Sequence, residues 1–297
     1  SRITANLYHR LRKNSIKGSR KNIQYHYDLG NNFYQLWLDK SMTYSSALFR
    51  SEAASGEFKE SVSLEVAQQN KYQRILGELN TKENQTILEV GFGWGGFAEH
   101  ALEKGCNVHG ITLSEQQLEY TRARLNDFEN TSQFEIKDYR EIDQKYDHIV
   151  SIEMFEAVGE KYWQTYFEML KRSLNPGGKI VLQIITIDDK YFDIYKRQAD
   201  FIQRYIFPGG MLPSESKLSQ LVEDNNLQIT NRISFGHDYG ETLARWEEGF
   251  NQVIPEMEAI GYDKRFQRMW LYYLGYCQAG FEEERIDVIQ LTLSHSI

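Results

Sequence analysis

Glu89, Gly91, Gly93 and Gly96 stand in an E-x-G-x-G-x-x-G run in a chain of 297 residues, a spacing that suits the handling of a nucleotide-like ligand. Glycines there let the backbone turn tightly and approach a ligand that a Cβ would hold off, while a helix starting at the same point offers its free N–H groups. A dinucleotide site fits the glycines too, and so does a purely structural turn. The dinucleotide reading expects an acid about twenty residues on to hold a ribose, but residues 107–114 contain none, and Thr112 and Leu113 stand at that point. A second candidate is Glu156, which follows Met154 and Phe155 where an apolar strand pattern ends. A carboxylate so placed can stabilise a cation or handle a proton.

Holding these residues together takes a sheet. Apolar runs predict strands over 86–90, 107–111, 133–136, 147–152 and 179–186, and helical patterns fall between them at 95–104, 114–127 and 160–173. Such alternation implies a parallel, doubly wound sheet with ligands at the carboxyl ends of its strands. Gly91, Thr112, Asp138 to Arg140 and Glu153 to Glu156 are therefore expected to converge. Asn175, Pro176, Gly177 and Gly178 predict a turn into the fifth strand. Upstream, residues 58–79 read as a helix, and the aromatic stretch 23–50 as a short helix and a loop over the glycine cradle. Downstream, the helical and aromatic stretch 187–212 reads as a lid, and strands near 227–235 and 287–293 bracket a helical region at 241–282. The expected organisation is a helical N-terminal segment and covering loop over 1–80, then an α/β domain over 81–297 with a lid insertion at 187–226.

Composition sets further bounds. Hydrophobic residues make up 41% and charged residues 26%, as in an ordinary globular protein. Nothing approaches the run of about 18–20 apolar residues that crosses a bilayer as a helix. The two cysteines, Cys106 and Cys277, are too few for a disulfide scaffold or a cysteine-rich metal site, so no metal is assigned and a reducing cytoplasm is expected. A net charge of −8 argues against nucleic acid as a partner. Charge is unevenly spread, however: Arg2, Arg10, Arg12, Lys13, Lys17, Arg20 and Lys21 precede Asp28 with no acid among them. With Ile3, Leu7 and Leu11 at helical spacing, this segment suits a helix lying on the inner face of an anionic membrane, although a solvated terminal helix suits it equally. A homodimer is compatible with all of this.

Longer phrases are more specific. QYHYDLGNNFYQLWLD (24–39), TYSSALF (43–49), LEVGFGWGG (88–96), GITLSEQQ (110–117), HIVSIEMFEAVG (148–159), YIFPGGMLPS (205–214) and FGHDYGETL (235–243) together resemble the cyclopropane-fatty-acyl-phospholipid synthase family, which includes the mycolic acid cyclopropane synthases. The resemblance runs over nearly the whole chain from about residue 20. It implies a class I S-adenosylmethionine (SAM) methyltransferase fold, a Rossmann-like α/β sheet of seven strands, mostly parallel with the last antiparallel. It also implies that SAM's activated methyl is delivered to the cis double bond of an unsaturated phospholipid acyl chain to form a cyclopropane ring.

Site residues follow from the same resemblance. Tyr44, Ser45, Glu89, Gly91, Gly93, Thr112, Leu113, Gln117, Asp138, Tyr139 and Ile152 are the implied SAM contacts. The base that removes a proton from the carbocation is, by resemblance, a bicarbonate ion held by Ser46, Glu156, Gln183, Ile185 and Tyr239. Two of these depart from the family pattern, Ser46 replacing a usual Cys and Gln183 a usual His. Both are neutral groups that can still hydrogen-bond an anion.

Overall fold

Ile87, Leu88 and Val90 are buried in Thr86–Val90, and this segment becomes β1 with a parallel neighbour on either side. In the computed structural model, which describes residues 14, 15, 18, 19, 29–49 and 62–296, those neighbours are β2 (Asn107–Thr112) and β4 (Tyr146–Ile152). Outside β2 lies β3 (Ser132–Ile136). Beyond β4 come β5 (Leu174–Ile187), then β7 (Ile286–His295), then β6 (Leu227–Ser234). Among the described residues the order is β3-β2-β1-β4-β5-β7-β6, and β7 runs antiparallel to both its neighbours. This is the seven-stranded class I SAM-methyltransferase arrangement.

Helices cover both faces. On one side α2 (Leu64–Leu79) and α3 (Gly96–Glu103) lay Tyr72, Ile75, Leu79, Phe97 and Ala101 against Ile87, Val108 and Val150. On the other, α5 (Trp163–Ser173) buries Tyr166, Phe167 and Leu170 against Leu88, Ile149 and Leu182. Burying both faces explains why the central strands read as continuous apolar runs.

Several boundaries differ from the sequence reading for local reasons. The helix expected over 58–79 is described only from Leu64, because the Ser63 side chain caps it by accepting from the Val66 N–H; residues 58–61 lie outside the described residues. Asn175 to Gly178 do not form a turn ahead of the fifth strand. They sit inside β5 as an irregularity, where pairing with β4 jumps from Tyr146–Leu174 to His148–Lys179 and Gly177 takes φ +79°. The lid stretch is less helical than expected: after α6 (Asp189–Tyr195) and a π-helical turn at Ile202–Ile206, residues 207–214 are irregular before α7 (Glu215–Asp224).

The helical region before β7 begins at Gly236 rather than 241, and it is three helices, α8 (Gly236–Gln252), α9 (Ile254–Ala259) and α10 (Lys264–Glu282). Its first N–H donates to Asp287 Oδ1 of β7 at 2.8 Å, which anchors α8 at the strand. Together α8 and α10 grip α1 (Asn31–Gln35) through aromatic rings, with Phe33 and Trp270 centroids 4.9 Å apart and Trp37 and Trp246 5.8 Å apart. Most of the aromatic stripe is therefore core, as Trp246, Phe250 and Trp270 are fully buried. Tyr273 and Phe281 instead reach a cavity.

Candidate active site

The first wall of that cavity is the end of β1. Glu89 lies between Gly110 and Val150 in the register, and burial pushes its carboxyl up to about 8. Its Oε2 accepts no hydrogen bond among the described residues although it is enclosed, so it is an acceptor available to a ligand hydroxyl. Next comes Gly91 with φ +84°, where a Cβ would stand 2.9 Å from Met154 Cγ. The cradle is thus closed to any side chain at that position. An unpaired buried carboxyl beside such a cradle fits the ribose-bearing SAM implied by the resemblance.

β2 ends in Thr112, whose hydroxyl donates to Gln117 Oε1 at 2.9 Å, orienting the first turn of α4 (Glu115–Arg124). Thr112, Leu113 and Gln117 line the cavity, as do Tyr44, Ser45, Gly93, Tyr139 and Ile152. Asp138 does not. Its carboxylate caps the turn that follows and accepts from Arg140 Nε and Nη2, both at 2.6 Å, so it positions Tyr139 instead of facing the cavity.

β4 ends in two acids three residues apart, and here the structure departs most from the sequence reading. Glu156 lines the cavity and its Oε1 accepts the Ile185 N–H at 2.5 Å, while its Oε2 has no partner among the described residues. Burial, and next the charge of Glu153, push Glu156 up to about 8, so near neutrality it keeps its proton. The more heavily hydrogen-bonded of the two is Glu153. Its Oε1 accepts the Ser46 backbone N–H at 2.9 Å and Gln183 Nε2 at 2.7 Å, and its Oε2 accepts the Tyr239 hydroxyl at 2.6 Å. Burial raises this carboxyl, while Tyr239, the Lys71 charge, the Ser46 N–H and Gln183 all act to keep it ionised.

Ser46 and Gln183 thus do not line the cavity. The Ser46 hydroxyl turns away to donate to Ala47 O at 3.0 Å, leaving only its backbone N–H for Glu153. Gln290 Nε2 donates to Gln183 Oε1 at 2.9 Å, which fixes the amide with its N–H group toward Glu153. Behind them Lys71, fully buried on α2, donates to Ser45 Oγ at 2.6 Å, and burial lowers its ammonium to about 7. Sequence reading placed Glu153 at the converging strand ends without a role and did not single out Lys71. The available signal was a second acid three residues before Glu156.

Past the acids the wall turns apolar. Ile187, Phe207, Leu212, Leu243, Tyr273 and Phe281 continue the same cavity, whose volume is about 780 Å³. Over it lies the 41–49 loop, its Tyr44 hydroxyl 2.8 Å from that of Tyr273. Ile194 and Tyr276 line the cavity and are also exposed, so its apolar wall reaches the surface. A carboxylate held by three donors, a second acid and an apolar, aromatic wall beside a nucleoside cradle suit a reaction that passes through a cation on a hydrocarbon.

The family model for mycolic acid cyclopropane synthetase matches residues 14–291. Over 278 residues the chain is 36% identical to the tuberculostearic acid methyltransferase UfaA1 of Mycobacterium tuberculosis, covering 93% of this chain and 65% of that protein. It is also 36% identical over 273 residues to the cyclopropane-fatty-acyl-phospholipid synthase of Escherichia coli, covering 92% of this chain and 67% of that relative. The chain spans about two thirds of the length of these relatives. Among solved structures, the mycolic acid cyclopropane synthase CmaA1 complexed with SAH and CTAB matches with a TM-score of 0.85 at 30% identity, over 92% of this chain and 97% of that one. By sequence and by fold, the chain belongs to the mycolic acid cyclopropane synthetase family.

Proposed function

We propose that this protein transfers the methyl carbon of SAM to the cis double bond of an unsaturated phospholipid acyl chain and closes a cyclopropane ring there. The observation that carries the reading is the continuity of one cavity from Glu89 and Gly91, past Glu153 and Glu156, to an apolar wall of Ile187, Leu243 and Phe281. Glu89, Gly91, Thr112 and Gln117 would hold the nucleoside end of SAM, and what SAM supplies when bound is an electrophilic methyl group. The remaining work belongs to the chain. Apolar side chains hold the alkene against the donor and exclude water. An ionised carboxylate about 4 Å from the resulting carbocation would stabilise it by roughly 4 kcal/mol at an effective dielectric of about 20.

Peripheral contact with a membrane is part of the same proposal. The basic segment expected to make it precedes Asp28 and lies almost entirely outside the described residues. Support comes from the exposed rim of the cavity, where Tyr276 and the exposed Tyr205 and Tyr272 pack around Phe201 and Ile194 is exposed as well.

A second reading is methylation without ring closure, in which the cation loses a different proton to leave a methylene chain, or takes a hydride from an added reductant to leave a saturated methyl branch. It draws on the equal identity, 36%, to the tuberculostearic acid methyltransferase and to the cyclopropane synthase. Both readings are tested by incubating the protein with methyl-labelled SAM and vesicles of a cis-monounsaturated phospholipid. Label in the lipid is expected, in a fatty acid one CH2 heavier whose proton spectrum has ring and no vinyl signals. Vinyl signals would select the second reading, and unlabelled lipid would overturn both.

A further inference from the structure

We infer that Glu153 is the reaction's built-in base, its carboxylate standing where the family resemblance places a bicarbonate ion. The inference rests on the proposed alkene chemistry and names the proton acceptor for it.

Three donors make the case. The Ser46 N–H, Gln183 Nε2 and the Tyr239 hydroxyl belong to residues the resemblance assigns to an exogenous anion, and all three already bind the two oxygens of one internal carboxylate, at 2.6 to 2.9 Å. An added anion would need those donors, which Glu153 already occupies, and its charge would oppose any on that carboxylate in a buried site. The backbone is set for the purpose as well. Glu153 takes φ +50°, a left-handed conformation uncommon for a residue with a side chain, and its N–H is tied to Gln183 O at 2.8 Å. That strained position turns the carboxylate into the cavity wall beside Glu156.

The departures from the family pattern then make chemical sense. With the anion covalently attached, position 46 need supply only its backbone N–H, and its hydroxyl is spent on Ala47 O. Gln183 offers a fixed amide donor that cannot compete with Glu153 for a proton. Buried Lys71, when protonated, favours the ionised form of that carboxylate.

The step balances without redox. Once the new carbon–carbon bond has formed, with the carbon–sulfur bond broken and its electron pair left on sulfur, the acyl chain carries one positive charge. Glu153 takes a proton from the transferred methyl, the C–H electron pair closes the ring, and Glu153 becomes a neutral acid that returns one proton to water per turnover.

The test compares wild type, Glu153→Gln and Glu153→Gly on monounsaturated phospholipid vesicles, in buffer stripped of carbon dioxide and in the same buffer with added bicarbonate. Wild type is expected to turn over equally in both. Glu153→Gln, similar in shape but no base, should lose at least about 100-fold in kcat in both buffers, with SAM affinity by calorimetry unchanged. Glu153→Gly suits the left-handed backbone and empties the anion position, so bicarbonate should restore its turnover in a concentration-dependent way. Three results would each overturn the inference: bicarbonate dependence of wild type, near-full activity of Glu153→Gln, or no rescue of a Glu153→Gly variant that still binds SAM. Unlabelled lipid with wild type would remove the proposed function along with it, whereas labelling by wild type and Glu153→Gln alike removes only the assignment of the base.

Discussion

The Tyr239 hydroxyl donates to Glu153 Oε2 across 2.6 Å, joining the first turns of α8 to the end of β4 over 86 residues of sequence. A hydrogen bond to a charged group contributes about 1.5–3 kcal/mol. Tyr239→Phe removes the donor and little volume, so Glu153 becomes harder to ionise and less well aimed. The expected result is a fall in kcat of roughly 10- to 100-fold with SAM affinity within about twofold of wild type by calorimetry. A loss confined to SAM binding would contradict the geometry.

Lys71 offers a second handle on the same carboxylate. Its charge favours the ionised form of Glu153, against the burial that disfavours it, while Glu156 and Tyr239 also face that group and Asp39 acts on Lys71 itself. Lys71→Met removes the cation and raises the Glu153 pKa, so the acid limb of the kcat–pH profile should move to higher pH. Profiles measured with saturating SAM would show it, and a uniform loss of rate with an unmoved limb would mean that Lys71 only packs.

Gly91→Ala examines the cradle. The new methyl would lie 2.9 Å from Met154 Cγ on a backbone at φ +84°, where left-handed strain costs roughly 1–2 kcal/mol for a residue with a side chain. The variant should fold with a lowered denaturation midpoint, and its dissociation constant for SAM, read by calorimetry, should rise at least tenfold, by about 1.4 kcal/mol or more.

Stability should carry the imprint of the buried acids. Glu89 keeps its proton in the folded state up to about pH 8, whereas in the unfolded chain it ionises near its ordinary 4.5. Between those values the folded state binds more protons, so this group's contribution to stability is full below the unfolded pKa and declines as pH rises to about 8. Lys71 acts in the opposite sense over a higher window: from about 7 to its ordinary 10.5 the unfolded chain binds the extra proton, and stability rises with pH. Glu89→Gln removes only the first effect. Without ligand, its Tm relative to wild type should climb steadily from about pH 5 to about pH 8 in scanning calorimetry, by at least about 2 °C, and a flat difference would deny Glu89 a raised pKa.

Much of the fold was legible because its signals are local. The apolar runs of β1, β2 and β4, the glycine turn after Val90 and the helical spacing of Ile75, Leu76 and Leu79 each depend on residues a few positions apart. Errors arose where a distant partner decided the outcome. Asn175 to Gly178 look like a turn, yet pairing with β4 at Leu174 and again at Lys179 continues β5 through them. The start of α8 at Gly236 depends on Asp287, 51 residues away.

The sequence alone determined the succession of strand, glycine turn and helix around Glu89 and Gly91, and the presence of two acids, Glu153 and Glu156, at the end of one strand. Only the tertiary structure decided which acid is surrounded by donors. The donors to Glu153 come from 107, 30 and 86 residues away, at Ser46, Gln183 and Tyr239, and favour its ionised form, while Glu156 receives one backbone N–H and leaves its other oxygen unpaired among the described residues. Protonation in a buried site follows the number of donors and charges within a few ångströms, and folding, through residues remote in the chain, sets that number.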